Sequence, residues 1–499
     1  MSKQKQKSLL NTFLTGQKDY PVITAIAAGL YPVVFYYSKN FSMLNSWEHL
    51  GYFITAFLLC PAIIFTLAQR LSKLTYFKSV GKHFLPFLNI FTFLYFLKVF
   101  LYVDVERKKI VVIFILSLLF AWFLYKHLKK VIVVQFILAF IGLFSLVQVI
   151  LEKAAYKDVW TQQPDDIGQV VFKKKPNVYF IEPDGYVSFS ELKKPFYKVE
   201  NSKFESFLEE ENFKTYPDFR SNYSATLSSN GATFMMKHHY YDLDTSSEDV
   251  ENAREIIMSD NIVLNAFKQN NYETYFLSET PYFLLNRPKL GYDHSNIDYS
   301  DIAYIHNGMG KTEPVLEPLA SFVKDEVDKP KFFFIQLLKP WHIKSRKGSS
   351  EGKEAERNHW IEAMRKSNNL MTDIISEIKQ NDPEALIMIM GDHGGYVGLD
   401  YGDQSYKKTQ NRDVVYSIFS TNLTIHWPNN IVPEYDSKLK TPVNVFRILF
   451  SYLSENESYL DNLQEDASFI ILNEDTPEGI YQYIDSAGNI VFKEIAIQK

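Results

Sequence analysis

Five apolar runs, at about 20–38, 50–69, 84–102, 110–125 and 131–151, occupy the first third of this 499-residue sequence. A helix needs roughly 17–25 residues to cross the hydrocarbon core of a bilayer, and each run is near that length, the fourth being the shortest. The sequence therefore predicts a five-span helical bundle over residues 1–151 and a separate, charged remainder. Lys3, Lys5, Lys7 and Lys18 precede the first run, Arg70, Lys73, Lys78 and Lys82 follow the second, and Lys126, Lys129 and Lys130 follow the fourth. Segments enriched in this way stay in the cytoplasm. The opposite loops carry fewer, although Arg107, Lys108 and Lys109 form a local exception that Asp104 and Glu106 partly balance. Five crossings that begin inside place everything after Leu151 outside. No small-residue cleavage pattern accompanies the first run, so it is expected to remain as an anchor.

The single cysteine, Cys60, falls in the second run, so no intrachain disulfide is possible. An outer part of this size can bury a large enough core without one. The net charge is −5, and no dense basic stripe with interleaved aromatics occurs, which excludes nucleic acid as an expected partner. Residues 152–176 read as a juxtamembrane connector, broken by "QQPDD" and closed by "KKKP", and residues 177–499 as the outer domain. Strand-like runs recur there at "NVYFIEP", "YETYFLS", "KFFFIQLL" and "ALIMIMGD", with helical patterns near 250–268, 314–328 and 353–379 between them. Strands alternating with longer helices predict a mostly parallel, doubly wound α/β sheet. Sites in such sheets gather beyond the carboxyl ends of the strands, where Asp184 and the pair Asp392 and His393 fall.

An Asp and a His side by side at a strand end, followed by glycines in "IMIMGDHGG", can turn an oxygen and a nitrogen toward one cation. Asp184 ends another buried strand, where an unpaired carboxylate is costly unless a cation or hydrogen bonds meet it. Glu182 is the competing carboxylate of that strand; the strand-end position favours Asp184. The third element is the hydroxyl-rich "FRSNYSATLSSNGATFMM" at 219–236, which runs into a helix-compatible segment. Thr226, Ser228 and Ser229 could each simply cap that helix. A functional hydroxyl would instead lose its proton beside a metal and attack phosphorus or sulfur, with the helix N-terminus holding the anionic substrate.

With these residues the outer part resembles the alkaline phosphatase and sulfatase superfamily, in the membrane-anchored branch that includes lipoteichoic-acid synthase and the lipid A phosphoethanolamine transferases. The likeness runs from 177 to about 465 and rests on "NVYFIEPD", "SNYSATLSS", "GDHGG" and "TPVNVFRILF" in that order. It implies an alkaline-phosphatase-like fold, Thr226 as nucleophile with Ser229 as a supporting hydroxyl, and one divalent ion held by Asp184, Thr226, Asp392 and His393. Zinc, manganese and magnesium all suit such a ligand set. Relatives carry a Pro-His pair after the third strand; here "LLKPWHIKS" puts Trp341 at that position and displaces His342, the candidate substrate-binding histidine, by one. No histidine follows in "YVGLDYGDQSYKK", which leaves a second metal without support. Arg412 resembles a family arginine that could fork onto phosphate, or could form a structural salt bridge.

The resemblance implies a bacterial cytoplasmic-membrane transferase that moves a phospho-alcohol group, of phosphoethanolamine or glycerol phosphate type, from a membrane lipid donor to an envelope glycan or lipid acceptor through a phosphothreonine intermediate. The alternatives are a phosphodiesterase or phosphatase, and a catalytically silent envelope binding protein. A formylglycine sulfatase is disfavoured, because "TLSSNG" lacks the C/S-x-P-x-R setting that such enzymes need. The pairs His238–His239 and Tyr240–Tyr241, and likewise His294, His306, His359 and Trp360, read as packing or surface residues.

Overall fold

The computed structural model describes residues 9–77, 79–103, 106–245, 247–306 and 311–496. Lys3, Lys5, Lys7, Lys78 and Asp104, used above for orientation, lie outside the described residues. The chain forms two compact units: Met1–Tyr156 with Leu285–Arg287 and Ala303–Gly308, and Lys157–Leu284 with Pro288–Ile302 and Met309–Lys499.

Among the described residues, four segments are long and apolar enough to cross a membrane: Pro21–Lys39, Trp47–Leu71, Gly81–Tyr102 and Arg107–Thr161. The last holds both the fourth and fifth apolar runs, as helices Arg107–Leu124 and Leu128–Ala155 joined by a 3-10 turn at Tyr125–His127. We label the helices α1 (Pro21–Lys39), α2 (Trp47–Leu71), α3 (Phe84–Tyr102), α4 (Arg107–Leu124) and α5 (Leu128–Ala155). Ring contacts set the direction of α4: Trp122 stacks on His83 at the start of α3, Phe114 meets Phe87 and Phe91, and Lys109 covers Tyr102 at its end. Helix α5 runs the other way, with Leu128 near Leu85 and Leu146 against the cluster that holds Phe96 and Phe100. The chain therefore reverses at Tyr125–His127.

Inside the bundle, Asn89 and Gln135 exchange amide hydrogen bonds of 2.9 and 3.0 Å, and Asn89 also donates to the Thr24 carbonyl at 2.9 Å. These buried polar contacts tie α1, α3 and α5 at one level, each worth about 1 kcal/mol where no water competes. Outward, large apolar side chains such as Phe123 (72% exposed) and Phe140 (73%) leave a surface suited to hydrocarbon rather than water.

The second unit is built on a seven-stranded sheet of order β2-β7-β6-β1-β5-β3-β4. Its strands are β1 (Val178–Pro183), β2 (Lys214–Thr215), β3 (Glu273–Ser278), β4 (His294–Ser295), β5 (Lys331–Leu337), β6 (Leu386–Met390) and β7 (Leu423–His426). Strands β6, β1, β5, β3 and β4 are mutually parallel, and β7 is antiparallel to both β6 and β2. A separate antiparallel sheet joins β8 (Ser468–Leu472), β9 (Gly479–Ile484) and β10 (Ile490–Glu494). The four strand-like runs of the sequence are β1, β3, β5 and β6, so the outer part is an α/β domain with a mostly parallel sheet.

Alternation along β1 explains the layers. Phe180 and its neighbour Phe334 pack on one face against Phe234 of α6 (Thr226–Met235), while Phe446 further along the chain meets Phe180 on the same face. Tyr179 and Ile181 point to the other face, toward α7 (Lys353–Asn381). That helix answers with Met371, Ile374, Ile375 and Ile378, an apolar stripe at helical spacing. Because both faces are covered, β1 reads as a continuous apolar run rather than an alternating one.

Residues 157–176 group with this second unit. Helix α9 (Pro442–Ser454), which follows α8 (Arg412–Phe419), carries the "PVN-x-F-R" segment. Its Arg447 is fully buried and donates to Asp165 Oδ2 at 2.5 Å and Gln163 Oε1 at 2.6 Å. The amides of Lys173 and Lys174 both donate to the Leu453 carbonyl. The motif arginine thus clamps the connector to the domain.

Candidate active site

Parallel pairing aligns Ile181 of β1 with Ile389 of β6, so the two strands end at the same sheet edge. Asp184 follows the first and Asp392 and His393 the second. Gly185 shapes the turn: its φ is +68°, and a Cβ there would lie 2.4 Å from the Trp341 carbonyl. Its amide, with that of His393, donates to Asp392 Oδ1 at 2.9 Å each. Behind the pair, Gly394 packs so close to Ser417 that a Cβ would fall 2.2 Å from its carbonyl oxygen. The glycines of "PDGY" and "GDHGG" therefore serve close backbone approach.

Asp184, Asp392 and His393 bring one ligand atom each within 4.8 Å of one another, and all three are buried. His393 Nε2 lies 3.4 Å from Asp392 Oδ2, 3.7 Å from Asp184 Oδ1 and 3.3 Å from Thr226 Oγ1. His393 Nδ1 lies 2.8 Å from the Gly394 carbonyl, which can only accept, so the proton sits on Nδ1 and the Nε2 lone pair faces the cluster. Asp184 Oδ1 and Asp392 Oδ2 are buried without a hydrogen-bond partner. Burial, then the nearby Asp392 and Glu182 charges, push the Asp184 carboxyl well above its usual range, and a hydrogen bond from Thr226 opposes them. Two orphaned carboxylate oxygens, the Thr226 hydroxyl oxygen and the His393 Nε2 lone pair fit a divalent ion with three oxygen ligands and one nitrogen. Glu182 accepts from Asn230 Nδ2 at 3.0 Å and stands outside the three-residue cluster.

Thr226 is the first residue of α6, and Ala225 occupies the cap position without a side-chain cap bond. The first intrahelical bond there runs from Ser229 N–H to the Ala225 carbonyl, so the preceding amides of the turn remain free to meet an anion. The neighbouring hydroxyls are structural in their contacts. Ser221 and Ser229 both donate to the Asp392 main-chain carbonyl, at 2.6 and 2.7 Å. Asn222 bridges Ala467 and Val443, and the Tyr223 hydroxyl accepts from the amides of His239 and Tyr240. "SNY-x-x-T-x-x-S" thus locks the Thr226 turn onto the β6 loop.

A cavity of about 260 Å³ opens over Thr226, Asp184 and His393. His342 lines it, its Nδ1 donating to the Ile343 carbonyl at 2.6 Å, which leaves Nε2 free. Burial, and then the charge of His393, hold the His342 imidazole down at about 4, so it is neutral at physiological pH. Trp341 lines the same wall, so both residues of the displaced Pro-His position reach the cavity. Arg412 stands apart: it forks onto Glu191 with contacts of 2.7 and 2.5 Å. Among the described residues, none of those lining the cavity is Lys or Arg.

The structure adds residues that sequence reasoning missed. Tyr396 lines the cavity beside His342 and His393 and donates to the Ser224 carbonyl at 2.5 Å. Three carboxylates, Glu248, Asp249 and Asp403, also line it. Burial, then repulsion from Asp249 and Asp403, raises the Glu248 carboxyl to about 7. Tyr396 sits three residues after His393, a proximity that could have flagged it. The carboxylates lie outside long helices and strands, where periodicity gives no signal.

The profile of the Sulfatase family matches residues 196–454. That span contains Thr226, Asp392 and His393, while Asp184 precedes it. No curated protein matches the chain by sequence. Solved structures similar to it include the zinc complex of the C-terminal periplasmic domain of EcEptC from Escherichia coli, at 12% identity over 64% of this chain and 94% of that one, with a TM-score of 0.43. The corresponding domain of phosphoethanolamine transferase EptC from Campylobacter jejuni shares 14% identity over 56% and 90%, with a TM-score of 0.39. The lipoteichoic acid synthase LtaP from Listeria monocytogenes shares 13% over 66% and 91%, with a TM-score of 0.41.

Proposed function

As this chain belongs to the sulfatase family, and is thus an enzyme of the alkaline phosphatase and sulfatase superfamily, we propose that it is a membrane-bound transferase that passes a phospho-alcohol group from a lipid donor to an envelope acceptor through Thr226. The observation that carries this reading is the contact of the Thr226 hydroxyl with His393 Nε2 and Asp184 on the wall of the cavity. The residues proposed to hold a divalent ion are Asp184, Thr226, Asp392 and His393. When bound, the ion would lower the pKa of a neighbouring hydroxyl and neutralise charge developing on phosphoryl oxygens.

Thr226 Oγ1 attacks the donor phosphorus, forming one P–O bond as the bond to the lipid alcohol breaks. The threonine gives up one proton and the departing alkoxide takes up one. The free amides at the start of α6 steady the phosphoryl oxygens. In the second step an acceptor hydroxyl attacks phosphorus, the P–O bond to Thr226 breaks, and the departing Thr226 Oγ1 takes up one proton to restore its hydroxyl. His342 Nε2, free because Nδ1 is engaged, takes the acceptor proton. The test is to incubate the purified full-length chain with a donor lipid labelled in its headgroup: transfer to an added acceptor supports the reading, and release of free headgroup phosphate alone makes the enzyme a hydrolase.

The lining carboxylates favour a cationic transferred group, of phosphoethanolamine rather than glycerol phosphate type. Among the described residues they form no second cluster compact enough for a metal ion, which suits a larger organic cation. A charged hydrogen bond of this kind is worth about 1.5–3 kcal/mol. The double variant Glu248→Gln, Asp403→Asn is therefore expected to raise KM for an ammonium-bearing donor by roughly 10- to 100-fold, and to leave a neutral donor little changed. Equal losses on both donors would contradict this choice of group.

We also propose five membrane crossings, supported by the reversal of direction at Tyr125–His127 and by the lysines that flank alternate ends. An alkaline phosphatase reporter fused after residue 160 is expected to be active, and one fused near residue 76 inactive. The opposite pattern would reverse the orientation and remove the enzyme from the envelope.

A further inference from the structure

A second cavity lies within the helical unit, independent of the catalytic reading. It measures about 600 Å³ and is walled by the chain just before α1, the end of α2, the start of α3, the 3-10 turn at Tyr125–His127 and the start of α5. All of these meet at one end of the bundle. Four lysines line it: Lys73, Lys82, Lys126 and Lys129. The one carboxylate among the lining residues, Asp19, accepts from Gln69 Nε2 at 2.8 Å. Among the described residues none of the four lysines forms an ion pair with Asp or Glu. Lys129 Nζ donates to the Gly16 carbonyl at 2.5 Å and lies over the Tyr20 ring, and Lys82 and Lys126 both lie over the Tyr125 ring, 4.9 and 5.7 Å from its centroid. The remaining wall is apolar, with Phe13, Leu85, Leu128 and Ile132.

Lysines at helix ends are expected on orientation grounds alone, and then their ammonium groups spread into water. Here four of them, drawn from separate elements, border one hollow, and aromatic rings hold three of the ammonium groups in place. Concentrating like charge around one part-apolar hollow raises its energy unless an anion enters. A site of several hundred Å³ with cationic rim and apolar wall matches a phosphate group that carries an apolar substituent.

We propose that this cavity binds the phosphate headgroup of an anionic amphiphile, from the leaflet at that end of the bundle. The shared chemistry is an anionic phosphate group; its source is either a membrane phospholipid or a soluble phosphate. The test uses the full-length chain in nanodiscs of phosphatidylcholine with graded phosphatidylglycerol, and lysine-selective acetylation read by mass spectrometry. Protection of Lys82 and Lys126 by phosphatidylglycerol, with Lys130 unchanged, supports a lipid. Protection of the same lysines by pyrophosphate in pure phosphatidylcholine supports the phosphate site and assigns it to a soluble ligand. Equal reactivity of Lys82, Lys126 and Lys130 under all conditions overturns the proposal. The double variant Lys82→Gln, Lys126→Gln should retain at least about tenfold less phosphatidylglycerol in native mass spectrometry than the control pair Arg70→Gln, Lys130→Gln. An equal loss in both pairs would mean general surface attraction and overturn it as well. Because footprinting uses the unaltered chain, a variant that folds poorly leaves that arm decisive.

Discussion

The variant Asp392→Ala is expected to lose its divalent ion and at least about 10³-fold in turnover, since charge stabilisation worth several kcal/mol disappears and each 1.36 kcal/mol is a factor of ten. Asp392 acts twice: Oδ2 is the unpartnered oxygen in the ligand cluster, and Oδ1 accepts the amides of Gly185 and His393 that fix the two strand-end turns. His393→Ala removes only the nitrogen ligand and should give the same loss of ion with less disturbance of the turns. Metal content by plasma mass spectrometry and turnover are read on the same samples. In the unaltered chain, an ion present at 100 times its Kd should add about 2.7 kcal/mol to stability, which a chelator removes. In both variants the chelator should no longer shift the melting temperature. Full metal occupancy in either would mean that the ligands lie elsewhere.

How far the site could be read beforehand depended on the range of the interactions involved. Strands β1 and β6 are buried on both faces, so they stand out as apolar runs, and an acidic residue at the end of such a run is conspicuous without knowledge of its neighbours. The convergence of Asp184 with Asp392 and His393 followed from parallel order alone. Side-chain direction did not. Ser229 lies one turn beyond Thr226, yet its hydroxyl donates to the Asp392 carbonyl. Arg412 meets Glu191 across 221 positions, and Arg447 meets Asp165 across 282, partners that no local pattern announces. Glu248, Asp249 and Asp403 reach the cavity from segments without helical or strand period. In the helical unit, the fourth and fifth apolar runs lie in one continuous segment, and the contacts that α4 and α5 make with α3 show the reversal between them.

Thr226→Ala is expected to lower the chemical step by several orders of magnitude, because no covalent intermediate can form. The fold should persist: Thr226 makes no cap bond, and loss of even a true cap costs only about 0.5–2 kcal/mol. Thr226→Ser should keep part of the activity, since a hydroxyl remains while the methyl group that restricts its rotamer is lost. Circular dichroism and metal content distinguish a folded, inactive protein from a damaged one.

The most direct measurement is peptide mapping by mass spectrometry of the full-length chain, rapidly quenched in acid during turnover with a headgroup-labelled donor lipid and no acceptor. A phospho-alcohol adduct is expected on Thr226, absent in Thr226→Ala and lost when acceptor is added. An adduct on Ser228 or Ser229, with Thr226→Ala still active, would contradict it.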